Sequence, residues 1–230
     1  MGQYYFPALI GVDSGELLVS CSPHTFDNGA KLTEHSYYEN GFVEAVLCKI
    51  ASYDWVRVAW IGDYAEMSDL KGIVDARLVA TAMTSLDDSE YRLKPDDPDI
   101  RDPGFDIWTG IVYNRDKRQK LSLPRYLANV RMIRHGLKLP FESPLNERVG
   151  HYVKPYWMEY DDIDHVVLNP VPLLTAIGNG RGGGDYEGTD MGWVGAWALD
   201  PITIAPPGAP APDDGEWEDV TGRFAFEEGC

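Results

Sequence analysis

The chain of 230 residues is 44% hydrophobic and 12% aromatic, which is enough apolar material for one large domain or two small ones. None of its apolar runs approaches the roughly 18 to 20 residues that a membrane-spanning helix needs, and its start lacks the features of a signal peptide. The 37 acidic and 20 basic side chains give a net charge of −17, which disfavours non-specific binding to nucleic acid or anionic membranes. We therefore expect a cytoplasmic protein that makes no membrane contact.

The first third of the chain predicts a hairpin, a helix and a strand. Residues 4–12 and 16–20 are rich in aromatic and branched side chains around a short turn, which is typical of a hairpin. Asn40 is placed to cap a helix over residues 41–53, whose apolar side chains recur at helical spacing. Residues 55–61 alternate like a half-buried strand.

The rest of the chain predicts further helices and strands, and then a change of character. In chain order these are a helix at 70–83, strands at 108–113 and 119–123, a helix at 125–134, a strand at 151–156, a helix at 171–177, and strands at 193–199 and 202–204. We expect one α+β domain over residues 1–205, with a mostly antiparallel sheet and a few helices packed on one side. Residues 206–212 form a proline-rich spacer, and residues 213–230 form an acidic tail or, alternatively, a docked hairpin.

The cysteines and histidines give no strong metal signature. Cys21, Cys48 and Cys230 match neither a zinc-binding spacing nor a disulfide framework, so Cys21 and Cys48 are predicted to be buried free thiols. We predict no metal site, and the sequence identifies no cofactor.

A glycine-rich loop at residues 178–186 is the first candidate site. Gly182, Gly183 and Gly184 offer backbone N–H groups to a phosphate-bearing ligand, and Arg181 adds a bidentate anion contact. Asp185 and Asp63, each in a Gly-Asp-Tyr sequence, are candidates to bind a ribose or an amine. The loop follows a helix instead of a strand and lacks a Gly-Lys-Ser or Gly-Lys-Thr sequence, so it matches neither a dinucleotide fold nor a P-loop. A connecting loop without a ligand is the alternative.

A second candidate site lies around His24. His24, Asp27, Glu34 and His35 combine histidine with carboxylates, the groups of a metal or general acid–base centre. The alternative is structural: His24 bonds to loop backbone, and Glu34 caps a helix or pairs with Lys31. Tyr64 completes the set of candidate ligand-binding residues.

Four short segments resemble a family of uncharacterised bacterial and bacteriophage proteins. They are residues 2–5 (Gly-Gln-Tyr-Tyr), 24–35, 62–65 and 180–185 (Gly-Arg-Gly-Gly-Gly-Asp). The resemblance implies that these segments belong to one domain and that a phage-associated setting is plausible. It implies no activity.

Charge and aromatic content favour a macromolecular partner over a small ligand. Residues 115–138, here called the basic strip, hold eight Lys and Arg side chains and only Asp116 as a counter-charge, and nucleic acid is expected to bind nowhere else. The alternative is that the strip pairs with neighbouring carboxylates. The candidate anchors, which would otherwise fill the core, are Tyr37, Tyr38, Tyr156, Trp157 and Trp217.

We therefore expect an acidic, intracellular interaction protein, phage-associated, that binds a host macromolecule, for example as an inhibitor. The alternative is a small-ligand or hydrolytic site formed by His24, Asp63 and the glycine-rich loop. Whether the protein is an enzyme stays open, since no nucleophile motif is present.

Overall fold

The computed structural model describes residues 2–66, 93, 102–134, 167–180 and 182–227. Within these residues, eight strands form one mostly antiparallel sheet, accompanied by four α-helices, so the predicted α+β architecture is confirmed. The strands are β1 (Tyr5–Gly11), β2 (Leu17–Ser20), β3 (Val56–Gly62), β4 (Ile111–Asn114), β5 (Gln119–Ser122), β6 (Ala176–Ile177), β7 (Pro201–Ala205) and β8 (Glu218–Asp219). The helices are α1 (Leu32–His35), α2 (Gly41–Ala51), α3 (Leu123–Arg134) and α4 (Pro170–Leu174).

The strand order is β2-β1-β3-β7-β4-β5-β8, and β3 shares one edge between two partners. Its first residues, Val56 and Arg57, pair antiparallel with β7, whereas Trp60 and Ile61 pair parallel with β6. On the other edge, β1 runs antiparallel to β3, with Tyr5 opposite Gly62. The carboxyl ends of β3 and β6 therefore lie side by side, next to the start of β1.

Alternation along the strands separates a large core from a small one. Tyr5 and Leu9 of β1 point into the large cluster, whereas Ala8 and Ile10 belong to the small cluster on the other face. The buried apolar side chains of α2, α3 and α4 all belong to the large cluster, so these helices pack on one face of the sheet. The predicted arrangement of helices on one side is confirmed for the described residues.

The predicted helix start at Asn40 is also confirmed. Its side-chain oxygen accepts hydrogen bonds from the backbone N–H groups of Phe42 at 2.9 Å and Val43 at 3.2 Å. These bonds satisfy two of the donors that a helix start leaves unpaired.

Two predicted elements are wrong. The segment predicted as a helix over 171–177 is helical only to Leu174. Strand β6 follows because its residues pair with the part of β3 that β7 does not reach. The predicted strand at 193–199 is a series of turns, with Gly195 and Leu199 at positive φ. Its backbone N–H groups do not form the hydrogen bonds of a strand. The N–H of Trp197, for example, donates to the carbonyl of Leu174 at 2.7 Å. The predicted helix at 70–83 and strand at 151–156 lie outside the described residues.

The C-terminal segment packs onto the domain. Its strand β8 pairs in parallel with β5, and the rings of Phe224 and Phe226 are buried in the large cluster. The backbone N–H of Phe226 donates to the hydroxyl of Tyr126 at 2.9 Å. In the described part of the chain, no helix has both the length and the apolar content for a membrane crossing.

Candidate functional site

The two segments that contain the sequence Gly-Asp-Tyr lie together at one end of the sheet. Residues 62–65 follow β3, residues 178–180 and 182–186 follow β6, and residues 2–5 lead into β1. We call these residues the junction. Because β3 and β6 are parallel neighbours, the loops that follow them leave the sheet at the same end.

Asp63 ties the end of β3 to the start of β1. Its backbone N–H donates to the carbonyl of Tyr4 at 2.9 Å, and its carboxylate Oδ1 accepts from the N–H of Tyr4 at 3.0 Å. Oδ2 of this carboxylate has no hydrogen-bond partner among the described residues.

Asp185 ties the glycine-rich loop to β1. One carboxylate oxygen accepts from the hydroxyl of Tyr5 at 2.5 Å, and the other accepts from the N–H of Gly182 at 2.6 Å. Burial raises the pKa of Tyr5 far above its ordinary value, and the hydrogen bond to Asp185 and the nearby charge of Asp63 act in the same direction. The hydroxyl of Tyr5 therefore stays protonated and serves as a donor.

The loop uses its own groups where a phosphate was predicted to bind. The N–H of Gly182 points at Asp185, and the N–H of Gly184 donates to the carbonyl of Gly182 at 2.9 Å. The carbonyl of Gly184 accepts from Leu32 at 3.3 Å. An anion would have to displace the Asp185 carboxylate, which repels it, so these contacts do not favour a phosphate cradle. Arg181 lies outside the described residues, and Gly183 places its carbonyl near Gly2.

Gln3 lies at the centre of the junction, and it is completely buried. Neither Nε2 nor Oε1 of its side chain has a hydrogen-bond partner within the described part of the chain. The amide lies against the backbones of Gly62 and Gly178, where a side-chain carbon would overlap or crowd Nε2. Gly184 lies against the backbone of Gln3 in the same way. The glycines therefore leave room for the unpartnered amide.

The sequence places Gln3 and Tyr5 in a segment of the resemblance, and Tyr5 also in the predicted first strand, but it predicts neither of them as a site residue. A polar side chain directly before an apolar strand is the one signal that points to Gln3. Tyr64, which was predicted, belongs to the junction: its half-buried ring lies against Gly182.

Lys31 and Glu34 border the junction. Lys31 pairs with Glu34 at 3.0 Å, and the Glu34 carboxylate also accepts the backbone N–H of Lys31 at 3.1 Å. This is the structural alternative for Glu34. The ion pair raises the pKa of Lys31, and the hydrogen bonds from Lys31 hold that of Glu34 below its usual range although burial opposes them. The aliphatic part of Lys31 lies near Gly184 and Gly2.

The structure does not bring the remaining predicted residues to the junction. His24 and Asp27 are exposed, and within the described residues no hydrogen bond or ion pair links them to Asp63 or Asp185. His35 is buried in the core, where burial lowers its pKa to about 4. Across the described segments, no group of three or more His, Cys, Asp or Glu side chains is arranged to hold a metal ion.

The described part of the basic strip pairs with carboxylates. Lys117 contacts Asp200 at 2.7 Å, and Arg118 and Arg125 contact carboxylates of the C-terminal segment at 2.7 Å and 2.5 Å. The alternative of internal charge pairing therefore holds for these three side chains.

The predicted anchors are divided. Tyr38 is buried in the core, whereas Trp217 is half-buried and stacks on Trp55 with ring centroids 6.2 Å apart. Tyr37 is also half-buried. Tyr156 and Trp157 lie outside the described residues.

Comparison of the chain with models of protein families, with curated proteins and with solved structures finds no match. The resemblance to bacterial and bacteriophage proteins therefore stays a prediction.

Proposed function

We propose that this protein binds a small polar ligand at the junction. The observation that carries the proposal is the buried amide of Gln3, whose donor and acceptor are both unpartnered among the described residues. Leaving a buried polar group unpaired costs about 1 to 3 kcal/mol, and folded proteins contain few such groups. A ligand that bonds to the amide would offset this cost.

The position of the amide in the sheet supports the same proposal. In open α/β sheets, ligands bind beyond the carboxyl ends of the parallel strands, where loops can vary without disturbing the core. The β3 and β6 pair is parallel, and Gln3 lies against Gly62 and Gly178, the residues at or directly after their ends. An unpaired amide elsewhere in the core would have no such access to loops.

The groups around Gln3 favour binding over hydrolysis. Tyr5 is held protonated, and both oxygens of Asp185 accept hydrogen bonds from within the protein. A general base needs a free lone pair directed at the substrate. In the described segments Asp63 keeps one carboxylate oxygen without a hydrogen bond, and the nearby hydroxyl of Tyr5 already donates to Asp185.

A macromolecular partner is the second candidate function. Tyr4 is 44% exposed, and its backbone is bonded to Asp63 at the junction. Exposed tyrosines are common interface anchors, so a partner that covers Tyr4 would contact the same site. The predicted host macromolecule and the cytoplasmic, phage-associated setting belong to this candidate.

Native mass spectrometry tests the small-ligand function. The full chain is incubated with a bacterial metabolite extract, freed of unbound solutes and weighed intact, beside Gln3→Met and Tyr37→Phe variants. We expect an adduct of small-molecule mass on the unmodified chain and on Tyr37→Phe, and none on Gln3→Met. An adduct on all three proteins, or on none, would argue against binding at Gln3.

A further inference from the structure

We infer that the ligand is a flat, uncharged molecule whose edge presents a hydrogen-bond donor beside an acceptor, as in a nucleobase or a primary carboxamide. The inference rests on the proposed function, since it identifies the ligand class of the same site. It replaces the phosphate-bearing ligand that the glycine-rich loop led us to expect.

The first argument is the chemistry of the Gln3 side chain. A primary amide carries one acceptor oxygen and one donor nitrogen about a plane, so its best complement offers a donor and an acceptor in the reverse order. Such a complement satisfies both unpartnered atoms at once. Glutamine bonds to the adenine edge in this bidentate way, and it pairs equally with another amide.

The second argument is charge. Asp63 directly follows Gly62, which lies against the Gln3 amide, and Asp185 directly follows Gly184, which lies against the Gln3 backbone. Two carboxylates therefore belong to residues next to those that contact Gln3. The N–H groups of Gly182 and Gly184 already bond within the loop, and Lys31 pairs with Glu34. An added phosphate would therefore meet negative charge, and the N–H groups of Gly182 and Gly184 are not free to bind it in the described part of the loop. A guanidinium would suit the carboxylates, but it carries no acceptor for Nε2 of Gln3.

The third argument is shape. The ring of Tyr64 is half-buried and lies directly against Gly182, where a side-chain carbon would come within 2.8 Å of two ring atoms. A flat ligand that reaches Gln3 as Gly182 and Gly184 separate from it can stack on this ring, since aromatic faces prefer flat partners. Because Gly182 and Gly184 have no side chains, their separation from Gln3 breaks few side-chain contacts.

Thermal shift and calorimetric titration of the full chain test the inference with four probes. Adenosine and nicotinamide are uncharged, and each presents a donor beside an acceptor on a flat group. AMP adds a phosphate to adenosine, and agmatine offers a guanidinium. We expect adenosine or nicotinamide to raise Tm in a concentration-dependent manner. AMP should bind at least 10-fold more weakly than adenosine, and agmatine should give no shift.

Three variants locate the effect. Gln3→Met should abolish the Tm shift caused by adenosine and nicotinamide. Asp63→Asn should reduce the difference in affinity between AMP and adenosine. Tyr37→Phe should bind all four probes as the unmodified chain does. If AMP or agmatine binds most tightly and Gln3→Met abolishes that binding, the inferred class of flat, uncharged ligands is wrong, but the proposed function stands. If no probe shifts Tm and no metabolite adduct forms, both are wrong. Neutral probes that bind equally to Gln3→Met also overturn the inference.

Discussion

The indole N–H of Trp60 donates a hydrogen bond to Nε2 of His35 at 3.0 Å, deep in the large core. The other ring nitrogen, Nδ1, lies 3.1 Å from the carbonyl of Gly29 and must carry the proton that this contact needs. The imidazole of His35 is therefore neutral, and both of its nitrogens form hydrogen bonds within the protein. His35, which was a candidate for metal or acid–base chemistry, joins β3 to the loop before α1.

This arrangement makes stability depend on pH. Burial lowers the pKa of His35 from 6.5 to about 4, so between these values the unfolded chain binds more protons than the folded one. The free energy of unfolding should thus fall as the pH decreases from 7 to 4, and His35 should account for about 3 kcal/mol of that fall. Urea titrations at several pH values measure it.

Two variants isolate this contribution from that of the carboxylates, which also titrate toward pH 4. His35→Gln keeps a donor and an acceptor without a titrating group, so its stability should depend less on pH over this range. His24→Gln makes the same replacement at an exposed histidine and serves as the control. Equal pH dependence in all three proteins would contradict a neutral, buried His35.

The two glutamines of the chain offer a matched test of the unpaired amide. Gln3→Met removes two polar atoms without described partners and keeps the length of the side chain, so the free energy of unfolding should rise by about 1 to 2 kcal/mol. Gln119 accepts from the indole of Trp197 at 2.9 Å and donates to Glu218 at 3.1 Å. Gln119→Met should therefore destabilise the fold. A loss of stability in Gln3→Met would show that its amide has a partner.

The sequence predicts the elements whose signal is local. Asn40 caps α2 through bonds that span three residues, and the alternation in residues 55–61 reports a strand with one face on the main core. Residues 171–177 and 193–199 were predicted wrongly because their conformation depends on distant partners. The edge of β3 that β7 leaves open pairs with Ala176 and Ile177, a contact that no local pattern reveals.

The candidate site divides in the same way. The glycines and aspartates of the junction stand out as segments, but the parallel pairing of β3 with β6 is what places Asp63 and Asp185 around one hydroxyl. His24 shares a segment with Lys31 and yet is exposed away from these contacts. Gln3 was missed because a single polar residue before a strand is a weak signal in the sequence, and its complete burial becomes visible only in the structure.

Gly184 should tolerate no side chain. A Cβ at this position would overlap the backbone oxygen of Gln3 and come within 2.9 Å of its nitrogen, and backbone atoms cannot rotate away. We expect Gly184→Ala to lower the free energy of unfolding by about 1 to 3 kcal/mol, as overpacking does. Gly192→Ala is the control, because a Cβ there meets open space, and it should change stability little. Equal denaturation midpoints would contradict the close approach of the loop to Gln3.

The C-terminal segment should be part of the cooperative fold. Phe226 is completely buried, with its ring 5.6 Å from that of Tyr186, so Phe226→Ala should cost about 3 to 5 kcal/mol in urea denaturation. Glu216→Ala, on the exposed stretch before β8, should change stability by less than about 0.5 kcal/mol. A cost below about 1 kcal/mol for Phe226→Ala would mean that the segment behaves as the solvated tail.

The hydrogen bond between Tyr5 and Asp185 should hold the glycine-rich loop on β1. Tyr5→Phe removes only the hydroxyl, and the loss of a hydrogen bond to a carboxylate should cost about 1.5 to 3 kcal/mol. Tyr37→Phe, which removes a hydroxyl with no recorded bond in the described segments, should cost little. In a double-mutant cycle, Asp185→Asn should lose most of its effect once Tyr5 is Phe, because the two groups share one bond. Additive losses would show that Asp185 stabilises the loop only through Gly182.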